Sequence, residues 1–299
     1  MDFYGKLQEI LALDAGGRGL HGHVERDMEG LSRTLSSAEK ALIITGFSVF
    51  CPDGRVIGET DGPVGSTELA RALTGLGCET VVATDVFSYG LVSAALKAGA
   101  PNARAVCIPM EGAEAFARQL FDEEKPQVVI SLERPGQAAD GHCHNMRGRI
   151  IDAAAADADA LFALAKERRI PTVGIGDGGN ELGMGAVKAL VEAGVPNGDQ
   201  IAAVQTADYT LVAGVSNWWG FGLAGLLQYE TGKDLIPDKE LETEILRAVV
   251  EAGGVDGCTA KQEMTVDRLP LSTHLGQLEA VRELVTECEW EKERERVCA

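Results

Sequence analysis

No stretch of this 299-residue chain is apolar for the roughly 20 residues that a membrane-spanning helix needs. The N-terminus, MDFYGKLQEI, has neither the basic n-region nor the apolar h-region of a secretory signal. The seven cysteines (51, 78, 107, 143, 258, 288, 298) form no C-x-x-C pair and are odd in number, which argues against a zinc or disulfide framework. Reduced thiols in a cytoplasmic protein are expected instead. Basic residues are outnumbered 27 to 46, and the resulting net charge of −19 repels nucleic acid and anionic membranes alike. An anionic small molecule stays possible as a partner, because local cations can override the global field. No repeat of fixed period and no low-complexity linker divides the chain.

What is present is alternation. Short, nearly continuous, β-branched apolar runs occupy residues 41–47, 79–85, 103–109, 127–133, 170–177 and 208–214. Runs of this kind suit strands buried on both faces of a parallel sheet. Helical patterns lie between them, at 67–76, 86–98, 112–124, 146–168, 181–193 and 217–231. The Ala-rich IIDAAAADADALFALAKERR is assigned to the fourth helix by propensity. Together these predict one α/β domain over residues 1–299: a doubly wound, mostly parallel sheet with helices on both faces, Rossmann-like and three-layered. Its core is expected at about 40–260, with N-terminal helices in 1–38 and a long amphipathic C-terminal helix at 273–297 packed on it. That last helix ends in the charged run EWEKERER, read as a solvated face or a homo-oligomer contact.

Ligands of open α/β sheets bind beyond the carboxyl ends of the strands. Those ends carry Thr45 with Gly46, Asp85, Glu133 with Arg134, Asp177, and Ser216 with Asn217. Three carboxylates converging on one rim repel each other, which a purely structural rim has little reason to tolerate. Asp85 also sits where a helix N-cap belongs. GIGDGGNELGMG (174–185) follows the fifth strand and is expected to open the helix 181–193. Its bare amides, at Gly178, Gly179 and Asn180 above all, would then form an anion cradle at a helix N-terminus. It is not a P-loop, since no G-K-[ST] follows, and it stands too late for the usual dinucleotide fingerprint. A plain strand–helix turn capped by Asp177 or Asn180 is the alternative.

ERPGQAADGHCHNMRGR (133–149) offers Glu133 as a base or metal ligand, with Arg134, Arg147 and Arg149 toward a substrate carboxylate. A surface loop leading into a helix would read the same way. His142 and His144 have no third metal ligand within reach by sequence, so no site is expected there. ETDGPVGST (59–67) is a second candidate anion cradle or a plain turn. Trp218 and Trp219 either wall a pocket or fill the core. The glycine loop 253–259, with Asp256, finds no role.

Taken in order, ITGF, TDGP, ERPGQAADGHCHNMRGR, GDGGNELGMG and SNWWGFGL resemble the D-glutamate cyclase family, over about residues 42–259. The resemblance implies an enzyme that closes D-glutamate to 5-oxo-D-proline with loss of water, or the reverse, in a free-standing cytoplasmic form. Lactam closure needs a base near the amine, a neutralised γ-carboxylate, donors for the tetrahedral intermediate and an anchor for the α-carboxylate. Asp177 or Glu133 is expected to be the base. Arg134 or Arg147 is expected to hold a carboxylate, with Gly46, Asn145, Ser216 and Asn217 lining the substrate. The amides of 176–180 are expected to take the oxyanion or anchor an anion. Asp177, Glu181 and Asp85 are candidates to hold Mg²⁺ or Mn²⁺, and no organic cofactor is expected. Two other readings are a nucleotide- or sugar-phosphate-binding module without turnover, and a hydro-lyase or amidohydrolase acting on another small amino dicarboxylate.

Overall fold

The β-branched runs do form strands. The computed structural model describes residues 2–14 and 16–298, with side chains through residue 291. Ten strands occur among them: β1 (Lys40–Thr45), β2 (Ser48–Phe50), β3 (Val56–Gly58), β4 (Glu79–Asp85), β5 (Arg104–Ile108), β6 (Val128–Leu132), β7 (Thr172–Gly176), β8 (Tyr209–Val212), β9 (Thr265–Val266) and β10 (Leu269–Pro270). Six make one sheet in the order β5-β4-β1-β6-β7-β8. Every pairing in it is parallel. Counted by their own chain order those six strands read 3-2-1-4-5-6, the doubly wound pattern whose direction of growth reverses between β1 and β6. The sheet is helix-covered on both faces. Alternate residues of β1 show why: Ala41 and Ile43 join one apolar cluster with helices Pro63–Gly75 and Trp218–Thr231, while Leu42 and Ile44 join another with Ala113–Glu124 and Asp159–Glu167.

The sequence places all six strands correctly because a run buried on both faces has few other places to go. Helix starts differ. The fourth helix covers only Asp159–Glu167, not 146–168. Residues before it are held in other shapes by tertiary bonds: Ala156 donates its N–H to Asp85 and receives Arg134 on its carbonyl. Alanine propensity of a few tenths of a kcal/mol per residue yields to a buried ionic partner. The fifth begins at Lys188, after a short 3-10 turn Gly185–Val187, and not at 181. Helices Phe3–Leu11 and Met28–Ser37 precede the sheet, and Leu271–Cys298 closes the chain. The side chains of the terminal charged run from 292 onward lie outside the described residues. No helix among the described residues is long and apolar enough to cross a membrane.

One close approach sets up the functional rim. Helices Pro63–Gly75 and Trp218–Thr231 touch where Gly65 meets Gly220; a Cβ on Gly220 would lie 2.4 Å from the Gly65 Cα. Asn217 sits at this crossing, its Oδ1 accepting the N–H groups of Gly62 and Gly65 at 2.8 Å and its Nδ2 donating to the Thr60 carbonyl. Asn217 therefore ties two helix starts together and is buried. Trp218 and Trp219 are core, with their indole N–H groups donating to His274 and to the Val212 carbonyl.

Candidate active site

The glycine loop after β7 is occupied by the protein itself. The Glu181 carboxylate accepts the N–H groups of Gly178 (2.7 Å), Gly179 (2.6 Å) and, more weakly, Asp177 (3.3 Å). Gly176 has to be glycine for this to happen, since a Cβ there would lie 2.4 Å from Glu181 Oε2. The expected cradle for an external anion is thus filled by an internal carboxylate. The helix-dipole argument also falls away, because the helix starts seven residues further on. Gly178 and Gly179 have no free amide to offer substrate. Asn180 faces the cleft described below, and its side-chain amide donates to the His144 carbonyl at 2.8 Å.

At the switch point between β1 and β6 the Gly46 N–H donates to the Glu133 carbonyl at 3.0 Å. Glu133 has φ of 47°, a left-handed conformation that side-chain-bearing residues hold only when their surroundings enforce it. That turn sends Glu133 and Arg134 to different destinations. The Glu133 carboxylate enters the cleft and accepts the Ser216 hydroxyl at 2.6 Å. Arg134 is fully buried beneath the rim. It pairs with Asp85 at 2.6 Å and donates to the carbonyls of Gly46 and Ala156. Two expectations are corrected here. Arg134 has no face toward a substrate carboxylate. Asp85 does not join Asp177 and Glu181 around a cation: those two gather with Glu133 instead, and Asp85 is paired with the buried guanidinium of Arg134.

Over this rim lies a cleft of about 560 Å³. Its wall carries Glu59, Glu133, Asp177, Glu181 and Asp267, with Asp61 close behind. Two groups of three are near enough to share an ion, their ligand oxygens within 4.8 Å of one another: Glu133, Asp177 and Glu181, and Asp61, Asp177 and Asp267. Arg18 reaches in from the N-terminal segment and contacts both Asp177 and Asp267. Burial first, then the charge of Asp177, pushes Glu181 up to about 7 and Asp267 up to about 8. The same two causes raise Glu133 and Asp61 well above the ordinary carboxylate range; for Glu59 the causes are burial and then Asp267. Without a cation this wall therefore holds protons near neutrality. Asn145, Arg147, Arg149 and Arg268 face it. The Arg149 guanidinium carbon sits over Phe50, 4.0 Å from its ring centroid. Arg147 and Arg268 are exposed and form no ion pair among the described residues.

The structure thus brings Glu133, Asp177, Asn180, Glu181, Asn145 and Arg147 to one cleft. Ser216 touches it through Glu133, and Gly46 and Asn217 serve as struts. Sequence reasoning missed Arg18, Glu59, Asp61, Asp267 and Arg268. Asp61 stood within a quoted turn, ETDGP, but that turn was read for its amides and not its acid. The unexplained loop 253–259 proves to be scaffold. Asp256 accepts the N–H groups of Cys258, Thr259 and Arg268 and the Thr265 hydroxyl, which fixes the hairpin that presents Asp267 and Arg268. His142 and His144 staple the loop opposite, bonding to Asp152 and Asp140. The glycine-loop cradle on which a phosphate-binding reading rested is taken by the Glu181 carboxylate.

Comparison with known proteins agrees with the resemblance drawn from the motifs. The family described as D-glutamate cyclase-like, C-terminal, matches residues 7–282. Human mitochondrial D-glutamate cyclase is 31% identical over 319 residues, covering 94% of this chain and 52% of that protein. The chain therefore spans about half the length of that relative.

Proposed function

The chain belongs to the D-glutamate cyclase-like family, and we propose that it is a hydro-lyase interconverting D-glutamate with 5-oxo-D-proline and water in the cleft above β1 and β6. The observation that carries this reading is that one cleft is lined by both kinds of charge: the buried or half-buried carboxyl groups of Glu59, Glu133, Asp177, Glu181 and Asp267, and the exposed guanidinium groups of Arg147, Arg149 and Arg268. A free amino acid has the complementary halves. Its ammonium turns toward Glu133 and Asp177, and its α-carboxylate toward Arg147.

The chemistry asks for little else. Ring closure forms an N–C bond and breaks a C–O bond. The ammonium gives up two protons, and the departing oxygen takes up two and leaves as water. The protein must relay those protons without losing them to solvent, and adjacent carboxyl groups buried away from water can do so. Glu133 and Asp177 are the pair assigned to that relay, Ser216 fixing the Glu133 carboxylate through its hydroxyl. A hard divalent ion, Mg²⁺ or Mn²⁺, fits the oxygen-only donor set of Glu133, Asp177 and Glu181, and Asp177 Oδ2 is a buried oxygen without a hydrogen-bond partner. Bound there, it would neutralise the γ-carboxylate.

The direct test incubates the protein with D-glutamate, L-glutamate and each 5-oxoproline, with and without EDTA, and follows interconversion by chiral chromatography. Turnover of the D-pair alone is expected. No conversion of any of the four sinks the reading, and conversion of only the L-pair reverses its stereochemistry. Arg147→Ala should raise KM about tenfold to a hundredfold and leave kcat within a few-fold, the pattern of a lost carboxylate anchor. Its melting temperature should not move, because Arg147 is exposed. An unchanged KM would remove Arg147 from the substrate.

A further inference from the structure

Two carboxylate groups meet at Asp177, and only one is needed for the reading above. The second joins Asp61 on the turn before helix Pro63–Gly75 to Asp267 on the turn between β9 and β10. Three observations bear on it. First, Asp177 is 5% exposed and stands in both groups, and its Oδ2 has no hydrogen-bond partner among the described residues. A buried carboxylate oxygen left bare is costly unless something binds it. Second, a cation already touches this group: the Arg18 guanidinium contacts Asp177 and lies 3.1 Å from Asp267. Third, acidic side chains outnumber basic ones at this wall: Glu59, Asp61, Glu133, Asp177, Glu181 and Asp267 share the region with one inward-reaching guanidinium, and ions seated there would take the place of the protons these groups otherwise hold.

We propose that Asp61, Asp177 and Asp267 form a second divalent-cation seat, that Asp177 bridges it to the Glu133–Asp177–Glu181 seat, and that Arg18 holds it until an ion displaces the guanidinium. The chemistry is that of paired hard cations, which sit roughly 3.5–4 Å apart in two-metal hydrolytic enzymes. Glycines flank Arg18. Gly16 and Gly17 precede it and Gly19 follows, with Gly17 and Gly19 in left-handed conformations; Asp14 accepts the Arg18 and Gly19 N–H groups on its side chain and the Gly17 N–H on its carbonyl. The inference deepens the reading of the same cleft, yet it stands or falls without reference to which acid is turned over.

The test uses the full-length chain stripped with EDTA and dialysed against Mn²⁺. Bound metal is counted by mass spectrometry, and coupling is read by electron paramagnetic resonance. Two ions per chain with an exchange-coupled signal are expected. Asp267→Asn should leave one ion and an uncoupled signal, with far-UV circular dichroism unchanged. Arg18→Ala should keep both ions and tighten the weaker at least tenfold, since the competing cation is gone; Arg18→Gln serves if the alanine variant does not fold. One ion per chain in the wild type, or an Arg18 variant that binds the second ion more weakly, overturns the proposal. Two coupled ions in a chain that converts no glutamate or 5-oxoproline would leave this seat standing and remove the cyclase reading instead; one ion in a chain that turns over does the reverse.

Discussion

Replacing Asp177 by Asn is expected to lower turnover by about a thousandfold or more, the scale of losing a positioned proton-transfer group, without loss of fold. Asp177 is where the site's electrostatics converge. It stands in both carboxylate groups, contacts Arg18, and after burial itself is the leading reason that Glu133, Glu181, Asp61 and Asp267 hold their protons so strongly. Asparagine keeps the shape and removes the charge. The same substitution should alter how stability depends on pH. In the metal-free wild type these carboxyl groups have folded pKa values above their unfolded values. Their contribution is therefore full below pH 4 and is lost as pH rises through about 7 for Glu181 and about 8 for Asp267. Melting temperature should fall between pH 5 and pH 9 in the wild type, and fall less in Asp177→Asn, whose neighbours no longer feel that charge. Thermal melts across that range, beside assays on the same samples, read both effects. A variant that keeps a tenth of the activity, or melts as steeply with pH as the parent, would contradict the assignment.

The parts of this site that were legible in the sequence are those fixed by local rules. Strand ends in an α/β sheet face the ligand side, so Glu133 and Asp177 could be placed on the rim once β6 and β7 were recognised. Arg147 and Asn145 followed from the loop that leaves the same strand end. The illegible parts depend on which distant group reaches a residue first. Glu181 looked like the start of a helix, but its side chain turns back onto the amides two and three residues earlier, and the helix begins only at Lys188. Arg134 looked like a substrate anchor because it follows Glu133. A single left-handed residue sends the two in different directions, and no local pattern marks Glu133 for that conformation. Arg18 and Asp267 come from opposite ends of the chain, and neither carries a motif. The Ala-rich segment favours helix by propensity, yet Asp85 and Arg134 claim its backbone at Ala156. Sheet topology was readable because it rests on burial, a property of each run alone; the carboxylate wall was not, because it rests on contacts between segments.

Arg134→Met separates a structural arginine from a substrate-binding one, and its effect should be the largest on stability of any single change at the rim. Arg134 is wholly buried, and its guanidinium satisfies Asp85 and two carbonyls, those of Gly46 and Ala156, at once. Methionine fills similar volume but leaves Asp85 charged, buried and short of its partner. Breaking a buried pair from one side costs about 3–5 kcal/mol, which for a chain of this size lowers the melting temperature by roughly 10 °C. Lysine should rescue little, because one ammonium cannot span the acceptors that the planar fork reaches. Adding Asp85→Leu to Arg134→Met should recover much of the loss, since the orphaned charge is then removed; additive losses in the double variant would mean that the two residues act separately. The pair also backs the reacting group. Gly46 donates its N–H to the Glu133 carbonyl and accepts Arg134 on its own, so Arg134 helps to hold the left-handed turn that aims Glu133 into the cleft. The folded fraction of Arg134→Met should accordingly lose kcat and keep KM, the opposite of Arg147→Ala. A raised KM with full stability would restore Arg134 as the carboxylate anchor and place the turn at Glu133 under some other control.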